Sequence, residues 1–391
     1  FNSLYGNVKI KNESTGIPEE LGQYYANFHA MKFLKTLQGE GNNSDRIARE
    51  ININKKCLGS KVKIFNSLSK ENTNAGKFIF ENYASKSDVV LSNRRDIFYN
   101  FAQKNGYIVE NENDEYICVP REDKISIFPT KANQKVVIPS TINFGGKDYT
   151  VSEINCCMID EPQNIETVEF ADGFKSETLT IGEKAFENCI NLTNFTIPGN
   201  VEKLNIGEGA FDGCTKLTNF TIPDKVKELN IGKNAFNWCI NLTNFTIPGS
   251  VKELTIGGSA FMGCKSLATF TIPKDVKELT IGMNAFSGCT KLTNFKISGN
   301  VEKLTIYGGA FYGCESLKDF TIPESVEKLN IGGYAFSHCT KLADFTIPGS
   351  VQELTIGDAA FDGFINLINF TYFAIPDSAI GENAFSCWDL W

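Results

Sequence analysis

Residues 192–216 read LTNFTIPGNVEKLNIGEGAFDGCTK, and close variants of this 25-residue unit follow one another through the C-terminal half of the chain. A unit of this length is too short to bury its own apolar side chains, so successive units must stack on one another. The repetition therefore predicts a solenoid, an architecture that commonly binds other molecules over an extended surface. One cysteine stands three residues after an Ala-Phe pair in each of seven successive units: Cys189, Cys214, Cys239, Cys264, Cys289, Cys314 and Cys339.

The apolar positions within the unit predict two short strands and one corner. Residues 192–197 have the pattern L-x-x-F-x-I, and residues 201–206 repeat the spacing as V-x-x-L-x-I. The last two apolar residues of each pattern alternate with polar ones, as in a strand with one buried face. The apolar residues within 210–217 have helical spacing, so we expect one helical turn or a 3₁₀ segment at the corner.

The cysteines of the repeat occupy one column, which is a packing position. Neighbouring coils of such a stack lie about 4.8 Å apart, so adjacent thiols are within geometric reach of each other. An odd number of stacked cysteines cannot pair completely, and a buried cysteine packs as a small apolar residue. We expect these thiols to be buried and reduced, so the 12 cysteines of the chain do not indicate a compartment.

From Ile181 to Leu367 the units match, almost position by position, a pattern of a strand that ends in Ile-Pro, then a Val, an Ile-Gly and an Ala-Phe-x-x-Cys-x-x-Leu. This pattern resembles the BspA-like class of leucine-rich repeats, in a variant with two additional residues that complete the Leu-x-Ile of the second strand. The resemblance implies a bacterial, less often protist, surface or secreted protein that adheres to host or neighbouring-cell proteins. It also implies no catalysis and no cofactor.

The N-terminal 105 residues differ from the repeats in pattern and in charge. Residues 1–105 carry 16 basic and 10 acidic residues, whereas residues 106–391 carry 22 and 36. Apolar residues between Leu21 and Leu37 lie on one helical stripe, and Ser92 is a candidate N-cap of a second helix. We predict a basic, mainly helical α or α+β domain at 1–105, for which no family is recognised.

The rest of the chain divides into three predicted segments. A β-hairpin and irregular first repeats form an N-terminal cap at 106–178, and regular 25-residue repeats of the solenoid occupy 179–370. The repeat decays at the C-terminus, where Phe364 replaces the column cysteine. A C-terminal cap is therefore expected at 371–391, because a solenoid must cover the apolar face of its last coil.

The inventory of reactive residues argues against an enzyme. The chain has two histidines, His29 and His338, and no Cys-x-x-Cys or His-x-x-x-His spacing that would hold a metal. His29 and Cys57 would combine a base with a nucleophile, but we favour a structural role for Cys57. No run approaches the roughly 18 to 20 apolar residues of a membrane span. We predict no catalytic residue, no metal, no cofactor, no membrane span and no nucleic-acid binding.

Function is expected where the repeat departs from its own pattern, because the periodic residues serve the fold. Lys296 interrupts a column of threonines, and Tyr307 stands where other units have glycine. Aromatic residues are favoured at protein-binding hot spots, so we predict a protein-binding site at these exceptions; neutral drift at exposed positions is the alternative. The candidate residues are Lys296, Tyr307 and four bulky residues at positions elsewhere held mainly by small or polar ones: Trp238, Tyr312, Tyr334 and His338.

These observations favour a non-catalytic protein-binding solenoid, secreted by or displayed on a bacterium for adhesion or host interaction. One alternative is an effector that is delivered into the host cytosol, where the repeats select the target of an active N-terminal domain. Another alternative is a structural spacer or assembly subunit that associates with itself. The expected partner is a protein of unknown identity, and the oligomeric state is left open.

Overall fold

The computed structural model describes residues 103, 106, 108–110, 115–130, 134–155, 162–363, 369–371 and 380–384. The predicted helical domain at 1–105, with His29 and Cys57, lies outside these residues apart from residue 103. Most of the predicted C-terminal cap also lies outside them. The chain divides after Tyr107, and nearly all described residues belong to the unit that begins at Ile108.

Short strands dominate the described residues, and the single helix element defined among them is the 3₁₀ helix Pro162–Asn164. The strands are β1 (Ile108–Glu110), β2 (Glu115–Arg121), β3 (Lys124–Pro129), β4 (Lys135–Ile138), β5 (Thr141–Phe144), β6 (Lys147–Ile154), β7 (Thr167–Phe170), β8 (Thr178–Ile181), β9 (Asn194–Thr196), β10 (Lys203–Ile206), β11 (Asn219–Thr221), β12 (Glu228–Ile231), β13 (Asn244–Thr246), β14 (Glu253–Ile256), β15 (Thr269–Ile272), β16 (Glu278–Ile281), β17 (Asn294–Ile297), β18 (Lys303–Ile306), β19 (Asp319–Thr321), β20 (Lys328–Ile331), β21 (Asp344–Thr346), β22 (Glu353–Ile356) and β23 (Asn369–Thr371).

These strands form three sheets. A 13-stranded sheet has the order β1-β2-β3-β6-β8-β10-β12-β14-β16-β18-β20-β22, with β5 paired to β6. Two five-stranded sheets have the orders β13-β11-β9-β7-β4 and β15-β17-β19-β21-β23. The first strands pair antiparallel, β1 with β2 and β2 with β3, and the ladder then continues in parallel from β3 onward. Each regular unit therefore contributes one strand to the large sheet and one to a small sheet.

Successive units stack in register, one unit directly above the next. Leu204 pairs with Leu229, which pairs with Leu254, so equivalent residues of neighbouring coils stand side by side. The result is a β-solenoid of about nine turns, and the prediction of a solenoid with two strands per coil is confirmed. Below, a column means the set of residues at equivalent positions in successive coils, and it is named by its member in the coil of Gly207.

Two stacks of phenylalanine rings fill the interior. The rings of Phe211 and Phe236 are stacked with centroids 5.2 Å apart, as are those of their counterparts in neighbouring coils. A second stack, to which Phe220 and Phe245 belong, has a spacing of 5.6 Å between these two rings. The stacks meet edge to face, with 4.9 Å between the centroids of Phe220 and Phe236. Because every ring touches rings in adjacent coils, burial is shared between coils and no coil has a core of its own.

The cysteine column lies in this interior, so the prediction that these thiols are buried is confirmed. Each thiol from Cys214 to Cys339 donates to the carbonyl of the phenylalanine 28 residues earlier, as in the 3.1 Å bond from Cys214 Sγ to Phe186 O. Burial raises the pKa of the Cys289 thiol to about 12. A thiol with a raised pKa is a poor nucleophile at neutral pH, so this column has a packing role.

The predicted helical corner is wrong. Each corner is a run of turns in which alternate N–H groups bond within the coil and to the next coil. Ala210 N donates to Gly207 O at 3.3 Å, whereas Phe211 N donates to Ala235 O at 2.8 Å. A helix would direct every N–H along its own axis, so it could not form this third ladder between coils. The apolar spacing that suggested a helix arises from a turn of similar length with left-handed residues.

At one coil junction, strand pairing is reduced both in the large sheet and between the two small sheets. The ladder of the small sheets is interrupted between β13 and β15. On the large sheet, β14 and β16 pair through Thr255–Thr280 and Ile256–Ile281, whereas β16 and β18 pair through four residues each. The corner ladder continues across the junction, with Phe261 N donating to Ala285 O at 2.7 Å. We call this junction, between β13/β14 and β15/β16, the seam.

Candidate functional site

The exposed large apolar side chains of the described residues all lie on one edge of the solenoid. We call it the corner edge; it comprises the corners at 182–190, 207–215, 232–240, 257–265, 282–290, 307–315, 332–340 and 357–363. Between 42% and 60% of each of these side chains is accessible to solvent. They are Ile190, Trp238, Met283, Tyr307, Tyr312 and Tyr334.

Three of the predicted site residues have a left-handed backbone. The φ angles of Trp238, Tyr334 and His338 are 55°, 58° and 62°. This conformation brings Cβ too close to the backbone in every residue except glycine, and it is an outlier for a bulky side chain. Within their coils, these residues occupy the two corner positions at which every coil needs a positive φ, the 209 and 213 columns.

Glycine and asparagine supply the positive φ in most other coils. The 213 column has Gly213, Gly263, Gly288, Gly313 and Gly363 where the backbone is left-handed. The 209 column is mixed, with Gly209, Gly309, Asn234 and Asn284 but also Lys184, Ser259 and Ala359 at positive φ. Asparagine tolerates this conformation better than most residues. Trp238 and His338 therefore hold a position that is glycine or asparagine in the other described coils, whereas Tyr334 holds one that accepts several residue types.

Tyr307 breaks a second backbone requirement. In its column, a Cβ added to Gly232 would lie 2.7 Å from the Gly207 carbonyl carbon, and one added to Gly282 would lie 2.4 Å from the Gly257 carbonyl carbon. Contacts this short force the backbone to shift. Tyr307 nevertheless carries a side chain here, and half of that side chain is exposed. The coil of Tyr307 has accommodated a residue that neighbouring coils exclude.

Trp238 and Lys265 form the first cluster on the corner edge. A Cβ at Gly263 of the next coil would lie 3.3 Å from the indole Cδ2 and Cε3, so the glycine leaves room for the ring. The ammonium group of Lys265 lies 5.5 Å from a Trp238 ring centroid, within the range of a cation–π interaction. The indole therefore has a defined position on the surface although 47% of the side chain is exposed.

His338 and Tyr312 form the second cluster. Their ring centroids are 5.2 Å apart, and His338 Nδ1 lies 2.8 Å from the buried Ser337 hydroxyl. A Cβ at Gly363 of the next coil would lie 3.3 Å from His338 Nδ1. Tyr307 shares the coil of Tyr312. Tyr334 shares the coil of His338, so four of the six predicted residues occupy two adjacent corners.

Lys296 does not join these clusters. It lies on β17, exposed on the outer face of a five-stranded sheet, in register with Thr271 and Thr321. The chain must pass along β18 before it reaches Tyr307 at the corner. The structure thus brings Tyr312 and His338 into contact, places Tyr307, Tyr334 and Trp238 on the same edge, and separates Lys296 from them.

Met283 and the left-handed backbone were missed by reasoning from the sequence. Met283 is the most exposed large apolar side chain among the described residues and lies one coil before Tyr307. The recurrence of glycine, with one asparagine, in the 213 column was a readable signal of positive φ, because these residues share little else.

The composition of the corner edge changes along the solenoid. The four corners from 257–265 to 332–340 contain two charged residues, Lys265 and Glu315; the others are mainly Gly, Ser, Asn, Thr, Tyr and apolar residues. The corners at either end carry a net negative charge. The three N-terminal corners contain Glu183, Glu187, Glu208 and Asp212 against Lys184 and Lys233, and the last corner contains Asp358 and Asp362. Lys184 Nζ lies 3.1 Å from Glu187 Oε1, and Lys233 Nζ lies 3.2 Å from Glu208 Oε1.

The large sheet instead exposes charged pairs between coils. Lys227 Nζ lies 2.7 Å from Glu202 Oε2, and Lys277 Nζ lies 2.6 Å from Glu302 Oε1. The Glu202 carboxylate accepts a hydrogen bond from Lys227, which lowers the pKa of the carboxyl group. Exposed pairs of this kind contribute little to stability and favour a solvated face over a ligand site.

Within the described ranges, no three His, Cys, Asp or Glu side chains lie close enough together to hold a metal ion. No helix in that part of the chain is long and apolar enough to cross a membrane.

Comparison with solved structures finds bacterial leucine-rich repeat proteins. A protein from Bacteroides ovatus is 23% identical, with 70% of this chain and 67% of that chain covered and a TM-score of 0.45. The leucine-rich repeat protein of T. pallidum is 27% identical over 60% of this chain and 91% of that chain, with a TM-score of 0.41. A leucine-rich cell surface protein from Faecalibacterium prausnitzii is 19% identical over 70% and 97%, with a TM-score of 0.30.

No curated protein matches the chain. The model of the BspA type leucine-rich repeat region does match, at residues 148–255, 177–307 and 304–390, with six copies. These matches span more than half of the chain, and their pattern is the one that the coils follow: two strands, a glycine and an Ala-Phe-x-x-Cys corner. The chain belongs to the family of BspA type leucine-rich repeats.

Proposed function

We propose that this chain is a non-catalytic protein-binding solenoid whose corner edge contacts the partner. The observation that carries the proposal is the left-handed backbone at Trp238, Tyr334 and His338. Each aromatic residue stands where glycine would fit without strain. Strained positions cluster at functional sites because the fold alone does not select them.

The chemistry of the corner edge supports binding to a protein. Its central four corners contain Gly, Tyr and Ser repeatedly, with Trp238 at one end, and these residue types are enriched in antibody binding loops. Tyrosine and tryptophan have few rotatable bonds, so ordering them on binding is inexpensive. The rings are already positioned by glycines and neighbouring rings. This arrangement suits a pre-organised interface with a few dominant anchors.

Adhesion or host interaction at a bacterial surface, or as a secreted protein, is the role that family membership supports. Leucine-rich repeat families are typically interaction scaffolds, and no enzymatic family is indicated. Cell fractionation and labelling of intact cells of the source organism with an antibody against residues 179–370 test the location. Labelling that requires permeabilised cells would contradict it.

Partner capture tests the binding surface. The full chain is immobilised beside a variant in which each aromatic is replaced by a residue found in its column: Trp238→Gly, Tyr307→Gly, Tyr312→Ser, Tyr334→Gly and His338→Gly. We expect the wild type to retain a specific protein that the variant loses. These replacements restore residues that neighbouring coils carry, so loss of binding is separated from loss of folding by far-UV circular dichroism.

Lys296→Thr is the matched control, because it restores the threonine column on a different face. We expect this variant to retain the partner. Equal retention by the wild type and the five-residue variant would overturn the assignment of the corner edge. Self-association of the chain without a retained protein would instead favour the spacer or assembly role, and a host phenotype that requires residues 1–105 would favour the effector role.

A further inference from the structure

We propose that the partner presents a proline-rich segment in the polyproline II conformation, flanked by basic residues, which lies along the corner edge between Trp238 and His338. The inference rests on the proposed function and names the chemistry that the corner edge recognises. It follows from the spacing of the aromatic anchors, the hydrogen bonding of the surface between them and the charge at its ends.

The anchors have the spacing of a polyproline II helix. Trp238 and His338 share a column and are four coils apart, which is about 19 Å at the usual distance between paired strands. Polyproline II rises about 3.1 Å per residue with three residues per turn, so residues i and i+6 are also about 19 Å apart and face the same way. Residue i+3 then meets Gly288, which lies midway between the anchors in the same column.

The surface at Gly288 is open to such a residue. A Cβ added there would come no closer than 3.9 Å to its nearest neighbours, which are backbone atoms of Gly263. At Gly313, one coil further on, no atom lies within 4 Å of an added Cβ. Trp238 at one end and the Tyr312–His338 pair at the other therefore flank positions that carry no side chain at Gly288 and Gly313.

This backbone is already hydrogen-bonded within the solenoid. Gly263 N donates to Ser287 O and Gly288 N donates to Tyr312 O, both at 2.8 Å. The carbonyl of Gly288 accepts from Thr290 N at 2.9 Å. A partner that adds a β-strand needs unpaired backbone groups on the receiving edge. A polyproline II segment makes no backbone ladder, and its prolines have no N–H to satisfy.

The aromatic side chains provide such a segment with rings to pack against and with hydrogen-bond donors. Polyproline II segments dock in aromatic-lined grooves, where the preformed helix loses little entropy on binding. The indole N–H of Trp238 and the hydroxyls of Tyr307, Tyr312 and Tyr334 can donate to its exposed carbonyls. A glycan would also stack on the rings, but its many hydroxyls would lie against glycine backbone whose groups are already engaged. The surface thus favours the peptide.

The charges at the two ends of the corner edge indicate which residues flank the proline-rich segment. The corners at 257–340 are nearly uncharged, whereas the corners beyond them have a net negative charge at both ends. Asp358 and Asp362 lie at one end, and at the other Glu183, Glu187, Glu208 and Asp212 outnumber Lys184 and Lys233. A segment with an uncharged centre and basic ends matches this distribution. Such attraction between exposed groups is screened by salt, so binding should weaken as the ionic strength rises.

A synthetic peptide tests the proposal by fluorescence anisotropy with the full chain. The peptide has prolines at i, i+3 and i+6 between two Arg-Lys pairs. We expect saturable binding that becomes about tenfold weaker when alanine replaces the prolines at i and i+6, and about tenfold weaker in Trp238→Gly or His338→Gly. Peptides with the same composition but scrambled prolines, or with Asp-Glu ends, should also bind more weakly. Lys296→Thr should bind as the wild type does.

Several outcomes would overturn the proposal. These are absence of peptide binding, binding that is unaffected by Trp238→Gly, and binding of uncharged oligosaccharides through Trp238 in place of the peptide. Partner capture could still depend on the five aromatic residues while the peptide fails to bind. In that case the proposed proline-rich segment is wrong and the proposed protein-binding function stands. If capture is independent of those residues, both proposals fail.

Discussion

At the scale of single residues, the corner edge shows that the fold requires a particular backbone angle and accommodates different side chains at the same position. In the 213 column, Gly288 and Trp238 occupy equivalent places with φ angles of 71° and 55°. The backbone needs only the angle, and a side chain adds strain of about 1–2 kcal/mol in a left-handed conformation. Aromatic residues that remain despite this strain are better candidates for function than those on an ordinary backbone.

Substitutions at Trp238 can measure this strain directly. We expect Trp238→Gly to be more stable than Trp238→Ala by about 1 kcal/mol, because both remove the indole and only alanine keeps a Cβ at positive φ. Urea denaturation of the two variants gives the difference in the free energy of unfolding.

Tyr312 is the matched control, since it is aromatic, lies on the same edge and does not have a positive φ. There the order should reverse, with Tyr312→Gly less stable than Tyr312→Ala by roughly 0.5–1 kcal/mol. An alanine variant at 238 that equals or exceeds the glycine variant in stability would show that the backbone there is not strained.

The sequence identified most of these residues but not their conformation. Tyr307 and Trp238 were visible as departures from a strict column. Their strain was not, because the apolar spacing of the corner fits a helical turn and a left-handed turn equally well. Lys296 was grouped with them because sequence order alone does not tell which face of the solenoid a residue occupies.

At the scale of strands, the seam has a counterpart in the charge pattern. Residues 227, 252 and 277 are all lysine and stand in one column of the large sheet, and residues 228, 253 and 278 beside them are all glutamate. Opposite charges meet at the junctions on either side of this block, as in Lys227 with Glu202 and Lys277 with Glu302. Like charges directly opposite each other destabilise a pair of strands, and β14 and β16 pair over two residues. Like charges are not sufficient to shorten a ladder, because Glu228–Glu253 and Lys303–Lys328 lie in ladders of four pairs. We test whether they contribute at the seam, where like charges lie in two successive junctions.

Exchanging the two central charges should strengthen the seam. In Lys252→Glu with Glu253→Lys, each new side chain meets opposite charges in both neighbouring coils. We expect the amides of β16 to exchange with solvent roughly two- to threefold more slowly, measured by hydrogen exchange and mass spectrometry at low salt.

The same exchange at Glu302 and Lys303 is the control. It breaks the Lys277–Glu302 pair and creates like charges toward β16, but it also creates opposite charges toward β20, where Lys303 of the wild type faces Lys328. The two effects oppose each other, so exchange at β18 should change little. Unchanged exchange at β16 in the first double variant, or an equal effect in 0.5 M salt, would show that charge does not cause the seam.

At the scale of the whole molecule, the periodic part was predictable and the remainder was not. Two strands per coil follow from the alternating apolar residues, which have no other way to be buried in so short a unit. The interruption between β13 and β15 could not be anticipated, since Phe245 and Phe270 keep the repeat pattern across it. The domain boundaries and the character of residues 1–105 stay predictions.

Removing one coil tests whether each coil contacts only its neighbours. Deleting residues 264–288 joins Gly263 to Cys289 and leaves every column intact. We expect a folded chain with cooperative unfolding and a denaturant m-value lower by roughly a tenth, in proportion to the lost surface. The anchors would then be about 14 Å apart, which no whole number of polyproline II turns spans, so binding of the peptide should weaken.

A deletion of residues 264–283 provides the comparison. It removes a similar length but shifts all later columns by five residues, so we expect it to lose cooperative unfolding. Equal behaviour of the two deletions would contradict a stack of equivalent coils.

The seam also has a mechanical consequence. Hydrogen bonds between coils run along the solenoid axis, so a pull on the two ends loads the coil junctions in series and every junction bears the same force. The first to open is the one with the fewest paired residues in its two sheets, which is the seam, where β14 and β16 share two pairs and β13 is not paired with β15. That junction lies between Trp238 and His338. Tension along this chain would therefore separate the two aromatic anchors before it unravels either end of the stack.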